Sequence, residues 1–336
     1  MPDTYNNILL IQTASIGDVI LITPVIEGLH QKYPNSKIDI LVKKGNESLF
    51  KGHPFINEVL IWNKSENKYQ HLFSLLKRIR LNKYEWVINF QRFVSTGMLT
   101  AFSKAKRKTI FQKNPLSFLC NDVHHHIINN PQQSFHEVDR NLSLIQTAND
   151  VFERRPVLYP TIEDEHSVAE YKSHPYLCIT PASLWFTKQF PLNKWCEFLN
   201  AIPRKLIVYL IGGIQDIDLM NNIIHEITND NIKVINLAGS LSLLQTAALM
   251  KQAEMNFVND SAPLHLASSV NAKTTALFCS TIPAFGFGPL AEDVIVIETK
   301  ENLTCRPCGL HGLRQCPEKH FACAQTIQPK QLLQRI

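Results

Sequence analysis

Short, unbroken apolar runs such as ILLI (8–11), LIVYLI (206–211) and TTALF (274–278) punctuate the chain almost from end to end. A strand with one wet face alternates apolar and polar residues; unbroken runs predict strands buried on both faces, as in parallel sheets. Segments with helical spacing separate them. In the first half the pattern predicts strands at 7–12, 37–42, 58–62, 84–90 and 107–111, with helices near 18–32, 46–51, 69–82, 93–105 and 136–149. The second half predicts strands at 176–180, 206–211, 232–236, 255–258, 274–279 and 294–297, with helices near 193–201, 216–228, 242–252 and 263–270. Strands that alternate with helices in this way build doubly wound parallel sheets.

The stretch 152–175 carries Pro156, Pro160, Pro175 and many charges, and reads as a linker leading into a surface helix. The expected class is α/β, with two Rossmann-like domains over 1–160 and 161–336 facing across a cleft. Ligands of such folds sit outside the carboxyl ends of the strands. Pro24 leaves two readings of the first helix: Thr23-Pro24 opens a new helix after a separate turn, or one helix from residue 18 kinks there.

At 336 residues, 45% apolar and 19% charged, the chain can bury two ordinary cores and is neither disordered nor fibrous. The formal charge of +5 suits anionic substrates or an acidic membrane face. No nucleic-acid-binding module accompanies it, so nucleic acid is not an expected partner. The opening MPDTYNN lacks Lys and Arg, and ILLI is too short for a signal peptide or a span. A cytoplasmic protein with reduced thiols is therefore expected. Cys120, Cys178, Cys196 and Cys279 lie singly in apolar segments and read as core.

Four clusters of chemistry fall at predicted strand ends. In SIGDV (15–19), Gly17 permits a tight turn, and Asp18 or Ser15 can cap the helix that follows. Asp18 can also be a base facing a cleft. A helix N-terminus weakens a carboxylate as a base, which fits a proton transfer that comes late. In TPASLWFTKQFPLNKW (180–195), Ser183 and Thr187 offer hydroxyls and Lys188 a cation suited to a diphosphate, ahead of a helix capped near Asn193. A solvated loop lysine is the plainer reading. In LIGGIQDIDLM (210–220), Gly212-Gly213 and Asp216 resemble a nucleotide site, or a turn with its cap; no G-x-G-x-x-G occurs. In FVNDSAPLHLASS (257–269), Asp260 and Ser261 end a strand and Pro263 opens a helix, with His265 one turn on. That arrangement suits an anion.

Taken in order, IGDVILITPVIEGL, HPFINEVLIW, SLWFTKQFPLNKW, GGIQD and NDSAPLHLASS resemble the characteristic segments of glycosyltransferase family 9, the ADP-heptose:lipopolysaccharide heptosyltransferase family. The resemblance spans most of the chain and implies a GT-B fold. It also implies an inverting, metal-independent transfer of heptose from ADP-heptose to a lipid-linked glycan acceptor. On this resemblance Asp18 is the catalytic base. Ser183, Lys188, Asp216, Asp260, Ser261, Ala262, Pro263, Leu264 and His265 lie on donor-binding segments, with Lys188 on the diphosphate and Asp216 on the ribose. Ser15, Gly17 and His136 fall on the acceptor side, although capping is the simpler role for His136. Ala262 stands where the family usually has Gly, Asp216 where several members have Glu, and Gln12-Thr13 where a basic residue often precedes the turn.

Three features lie outside those segments. Cys305, Cys308, Cys316, His320 and Cys323 crowd one short stretch, which reads either as a structural zinc or iron site or as packed reduced thiols. No cofactor is expected for the chemical step. The basic runs LKRIRLNK (76–83) and KAKRK (104–108) read as solvated faces or as contacts with the inner face of the membrane. NDVHHHIINN (121–130) reads as a loop insertion whose histidines lack a metal spacing. Two competing functions remain. The missing glycine fingerprint weighs against a dinucleotide oxidoreductase. A non-catalytic metal-binding protein would rest on the cysteine cluster alone.

Overall fold

The computed structural model describes residues 4–128 and 135–336; the opening three residues and the end of the predicted 121–130 insertion lie outside the described residues. The chain divides into two compact units, Met1–Tyr159 and Pro160–Ile336.

The first unit runs β1 (Asn7–Ile11), α1 (Ile16–Ile20), α2 (Thr23–Lys32), β2 (Lys37–Lys43), β3 (Ile56–Trp62), α3 (Lys68–Leu81), β4 (Trp86–Asn89), α4 (Val94–Ala101), β5 (Arg107–Phe111), β6 (Asp122–His124) and α5 (Glu137–Leu142). Its strands pair in the order β3-β2-β1-β4-β5-β6, all parallel. Leu9, Ile11, Leu41 and Leu60 of the sheet meet Leu72, Leu75 and Ile79 of α3 and Leu99 of α4 in one buried cluster. Tyr5 and Tyr33 pack their rings on Trp86, which is fully buried.

The second unit runs α6 (Ile162–Ser167), β7 (Tyr176–Thr180), α7 (Leu192–Asn200), β8 (Leu206–Leu210), α8 (Ile217–His225), β9 (Ile232–Asn236), α9 (Leu243–Gln252), β10 (Met255–Asn259), α10 (Ala262–Ser269), β11 (Thr274–Phe278), β12 (Val294–Glu298), α11 (Ala322–Gln325) and α12 (Lys330–Leu333). The order β12-β11-β10-β7-β8-β9, again all parallel, repeats that of the first unit strand for strand. Leu177, Val208, Phe257 and Leu277 bury against Trp195, Phe198 and Leu199 of α7. Both sheets therefore have the Rossmann order, in which the strand sequence reverses beside the first strand and opens a crevice there.

Several expectations need correction. Of the two readings left for residues 18–32, a new helix at Thr23-Pro24 holds, because Thr23 Oγ1 donates to the Ile20 carbonyl at 2.8 Å and Pro24 takes a first-turn position, where no N–H is needed. The predicted helix at 136–149 stops at Leu142, after which the hydroxyl of Ser143 bonds the Arg140 carbonyl. The helix after Lys188 begins at Leu192 with Pro191 at its cap, so Asn193 lies inside it. Part of the supposed 121–130 loop is strand β6, held to β5 by the Asp122 carboxylate on Arg107 (2.8 Å) and Thr109 (2.7 Å). Cys120 is half-buried, whereas Cys178, Cys196 and Cys279 are buried. No helix among the described residues is long and apolar enough to cross a membrane.

Candidate functional site

In the first unit the strand order reverses between β1 and β4, and the amide of Gln91 donates to that of Gln12 across this point, both buried. The turn leaving β1 places Asp18 in the first turn of α1. One of its carboxylate oxygens accepts the Ser15 N–H at 3.2 Å and the Ser15 hydroxyl at 2.5 Å. Asp18 thus closes the capping box of α1 beside the switch point. Gly17 is buried in the same turn. His136 caps α5: its ring Nδ1 accepts the Val138 N–H at 3.1 Å while its backbone N–H donates to the Asp139 carboxylate at 3.0 Å.

Cations lie on the turns near this switch point, and one of them, Lys113, feels the charge of Asp18. Lys64, just past β3, donates to the Thr13 carbonyl at 2.8 Å and to its hydroxyl at 3.1 Å. Loss of solvent, then Lys43 and Lys68, lower its pKa to about 8. It brings a charge to the turn whose own residues, Gln12 and Thr13, carry none. Past β5, crowding out of water lowers Lys113 to about 8; Glu137 opposes the shift, Arg140 and Arg92 add to it, and the charge of Asp18 opposes it. Behind it Glu137 is buried between Arg140 (2.7 Å) and His126 (3.2 Å), which outweigh the cost of burial and keep it ionised. The signal available in the sequence was positional, since Arg92 and Lys113 each follow a strand by a few residues.

In the second unit the reversal falls between β7 and β10, and an amide again bridges it. Asn259 donates to the Pro181 carbonyl at 2.7 Å and accepts the Phe190 N–H at 3.0 Å. Here Lys188 and Asp260 are joined at 2.7 Å, and the Thr281 hydroxyl donates to the same Asp260 oxygen at 2.5 Å. The lysine loop is fixed from behind: Thr187 N–H bonds the Leu313 carbonyl, Leu313 N–H bonds Thr187 Oγ1 at 2.8 Å, and the Ser280 hydroxyl reaches the same oxygen at 2.9 Å. Gly312, at φ +75°, lets this crossing approach the Lys188 stem.

Ser261 takes the cap position of α10, with Ala262 and Pro263 in its first turn, all half-buried. Leu264 is fully buried, so its side chain is core and only its backbone belongs to the strand-end turn. His265 is also buried. Ser183 receives the Gln189 amide on its carbonyl at 2.7 Å. Asp216 accepts the Gly213 N–H at 2.8 Å and the Gln215 amide at 3.3 Å, so one of its oxygens closes its own turn. Thr281 and Gly312 went unnoticed because they meet Asp260 and Lys188 only in the fold.

The metal reading of the cysteine segment needs correction. Among the described residues no group of three or more His, Cys, Asp or Glu is disposed to hold a metal ion. His320 is exposed and spends its Nδ1 on the Ala322 N–H at 2.9 Å, Cys308 points its thiol at the Cys305 carbonyl, and Cys323 is buried in the core. Cys316 packs on that core from its edge. Burial, then Cys308, Cys316 and Cys305, push the Cys323 thiol up to about 11. The segment is anchored by Arg306, whose guanidinium donates to the carbonyls of Cys279 (2.7 Å) and Thr281 (2.7 Å) and to Glu298 (2.6 Å).

Comparison with known proteins places this geometry. The family model for glycosyltransferase family 9 (heptosyltransferase) matches residues 72–319. Lipopolysaccharide heptosyltransferase 3 of Escherichia coli (strain K12) is 28% identical over 300 residues, 83% of this chain and 84% of that protein. Among solved structures, the E. coli ADP-heptose lipopolysaccharide heptosyltransferase II superposes with a TM-score of 0.78 at 18% identity, covering 98% of this chain and 97% of that one. The E. coli heptosyltransferase WaaC with ADP gives 0.70 at 16% identity, covering 98% of both chains. With these matches and two Rossmann-order sheets, the chain belongs to glycosyltransferase family 9, the heptosyltransferases, and has their GT-B fold.

Proposed function

We propose that the chain moves heptose from ADP-heptose to a lipid-linked glycan of the lipopolysaccharide core type, with inversion, in a single displacement. The observation that carries this reading is the placement of Asp18 at one switch point and of Lys188 with Asp260 at the other. An acceptor hydroxyl forms a bond to the anomeric carbon as the bond from that carbon to the diphosphate oxygen breaks. Asp18 takes the hydroxyl proton, and ADP leaves with the electron pair. An ammonium has three donors and Asp260 occupies one, so Lys188 has others for the charge growing on the diphosphate. The start of α10 at Ser261–Pro263 adds the positive end of a helix. The first unit is assigned to the acceptor and the second to the donor, and the displacement as written draws on no cofactor.

Support for the donor comes from the related structures, whose names carry ADP and ADP-heptose. The eight unpaired thiols suit the cytoplasmic side of a membrane. The test is to offer the purified chain ADP-heptose, UDP-glucose or GDP-mannose with a lipopolysaccharide-core acceptor, following nucleoside diphosphate release and the product's anomeric configuration by NMR. ADP release with inversion is expected. Retention of configuration, or turnover only with another nucleotide sugar, would remove the assignment.

A further inference from the structure

Helices α3 and α4 pack side by side over one core of Leu72, Leu75, Ile79 and Leu99, and Arg80 Nε near the end of α3 donates to the Phe102 carbonyl at the end of α4 at 2.7 Å. Their outer faces are not those of an ordinary solvated helix pair. On α3, Tyr69 and Phe73, one turn apart, are 69% and 59% exposed. On α4 and its cap, Val94 and Phe102, two turns apart, are 51% and 44% exposed. Residues at such spacing share one helix face, so each helix shows an apolar stripe. Lys77 on α3 and Lys104, two residues past the cap of α4, are exposed; neither 67–84 nor 91–111 contains an Asp or Glu, although Arg78 and Lys106 pair with Glu58 and Glu85 from neighbouring stretches.

We propose that this α3–α4 face docks on an anionic lipid bilayer, the aromatic stripes entering the headgroup layer and the cations meeting lipid phosphates. Exposed aromatics interleaved with exposed cations such as Lys77 and Lys104 are the pattern of an interfacial helix. A second copy of this chain is the poorer occupant, since a symmetric pair would press like charges together. The proposal deepens the functional reading by naming how a lipid-linked acceptor is reached.

Vesicle co-sedimentation tests it. The full chain is mixed with vesicles of phosphatidylcholine alone or with about one-third phosphatidylglycerol. Binding at least tenfold tighter to the anionic vesicles is expected, weakening in high salt. Lys77→Glu with Lys104→Glu removes that preference, by about fivefold or more per position, and Phe73→Ser with Phe102→Ser weakens binding to the anionic vesicles. Both variants keep the wild-type melting temperature and their transfer to a short, soluble acceptor. Equal binding to the two vesicle types, or variants that bind like wild type, would overturn the proposal. So would concentration-dependent dimerisation abolished by the Phe73/Phe102 variant. The vesicle assay needs no turnover, so a chain that fails with ADP-heptose would undo the functional reading and leave this result standing.

Discussion

Lys188 and Asp260 pair at 2.7 Å at the switch point of the second sheet, with side chains only 14% and 7% exposed. The Thr281 hydroxyl adds a second partner on Asp260. The ammonium is thereby held in place before any ligand arrives, which is the condition for useful electrostatic stabilisation.

Replacing Lys188 with Gln should weaken ADP binding about 10- to 100-fold, the worth of a hydrogen bond to a charged group, and slow transfer by a further factor on the order of 10 to 100. Calorimetric titration with ADP and initial rates read the two effects separately. Unchanged ADP affinity would take Lys188 off the diphosphate.

Asp18 is part of a capping box and, in the proposed reaction, the base; two variants separate these roles. Asp18→Ala should cost about 10²–10⁴ in turnover and leave ADP affinity nearly unchanged. Ser15→Ala removes the hydroxyl that bonds Asp18 and should lower stability by about 1 kcal/mol while turnover stays within a few-fold. Near-normal transfer by Asp18→Ala would show that another group takes the proton.

His53 predicts a pH dependence of stability. It is buried beside Phe50, Phe55 and Tyr159, accepts the Phe55 N–H at 3.2 Å, and burial lowers its pKa to about 4. In the unfolded chain it titrates near 6.5. Below that value the unfolded chain takes up a proton that the folded one refuses, so the contribution is complete above about 6.5 and fades as pH falls toward 4. The loss between pH 7 and pH 5 should be about 2 kcal/mol. Urea unfolding at both pH values should show this for the wild type and a shallower dependence for His53→Asn. Parallel slopes for the two proteins would contradict it.

Gly312 and Gly309 form a matched pair. Both have positive φ, +75° and +69°, but a Cβ at 312 would come within 2.8 Å of the Lys188 stem, whereas one at 309 meets nothing within 4 Å. Each Ala variant should lose about 1–3 kcal/mol to backbone strain. Only Gly312→Ala should also raise the KM for the donor. Equal KM values would separate the cysteine segment from the site.

The parallel α/β architecture was legible because its strands are buried on both faces and write themselves as unbroken apolar runs. β6 was missed: Asp122–His124 has no such run and is held at the sheet's edge by an ion pair with Arg107. Asp18, Lys188 and Asp260 could be picked out as strand-end residues. What could not be read was their company, since Thr281 and Gly312 lie far from Lys188 in sequence and near it only in the fold. Of the two readings of the cysteine cluster, the structure fits packed thiols, for a related reason. Its spacing suits a ligand set, but Cys323 is drawn into the core and His320 into a local turn.

The exclusively parallel pairing also has a consequence for how the chain is made. With no hairpins among the described residues, each sheet's central contact joins distant segments: Ile8 waits for Trp86, and Leu177 for Met255. Such topologies fold slowly and leave strand edges uncovered meanwhile. During synthesis the first unit can close its middle once β4 leaves the ribosome. The second stays open until β10 has emerged, after an equal length of chain, so both halves pass through the same exposed interval.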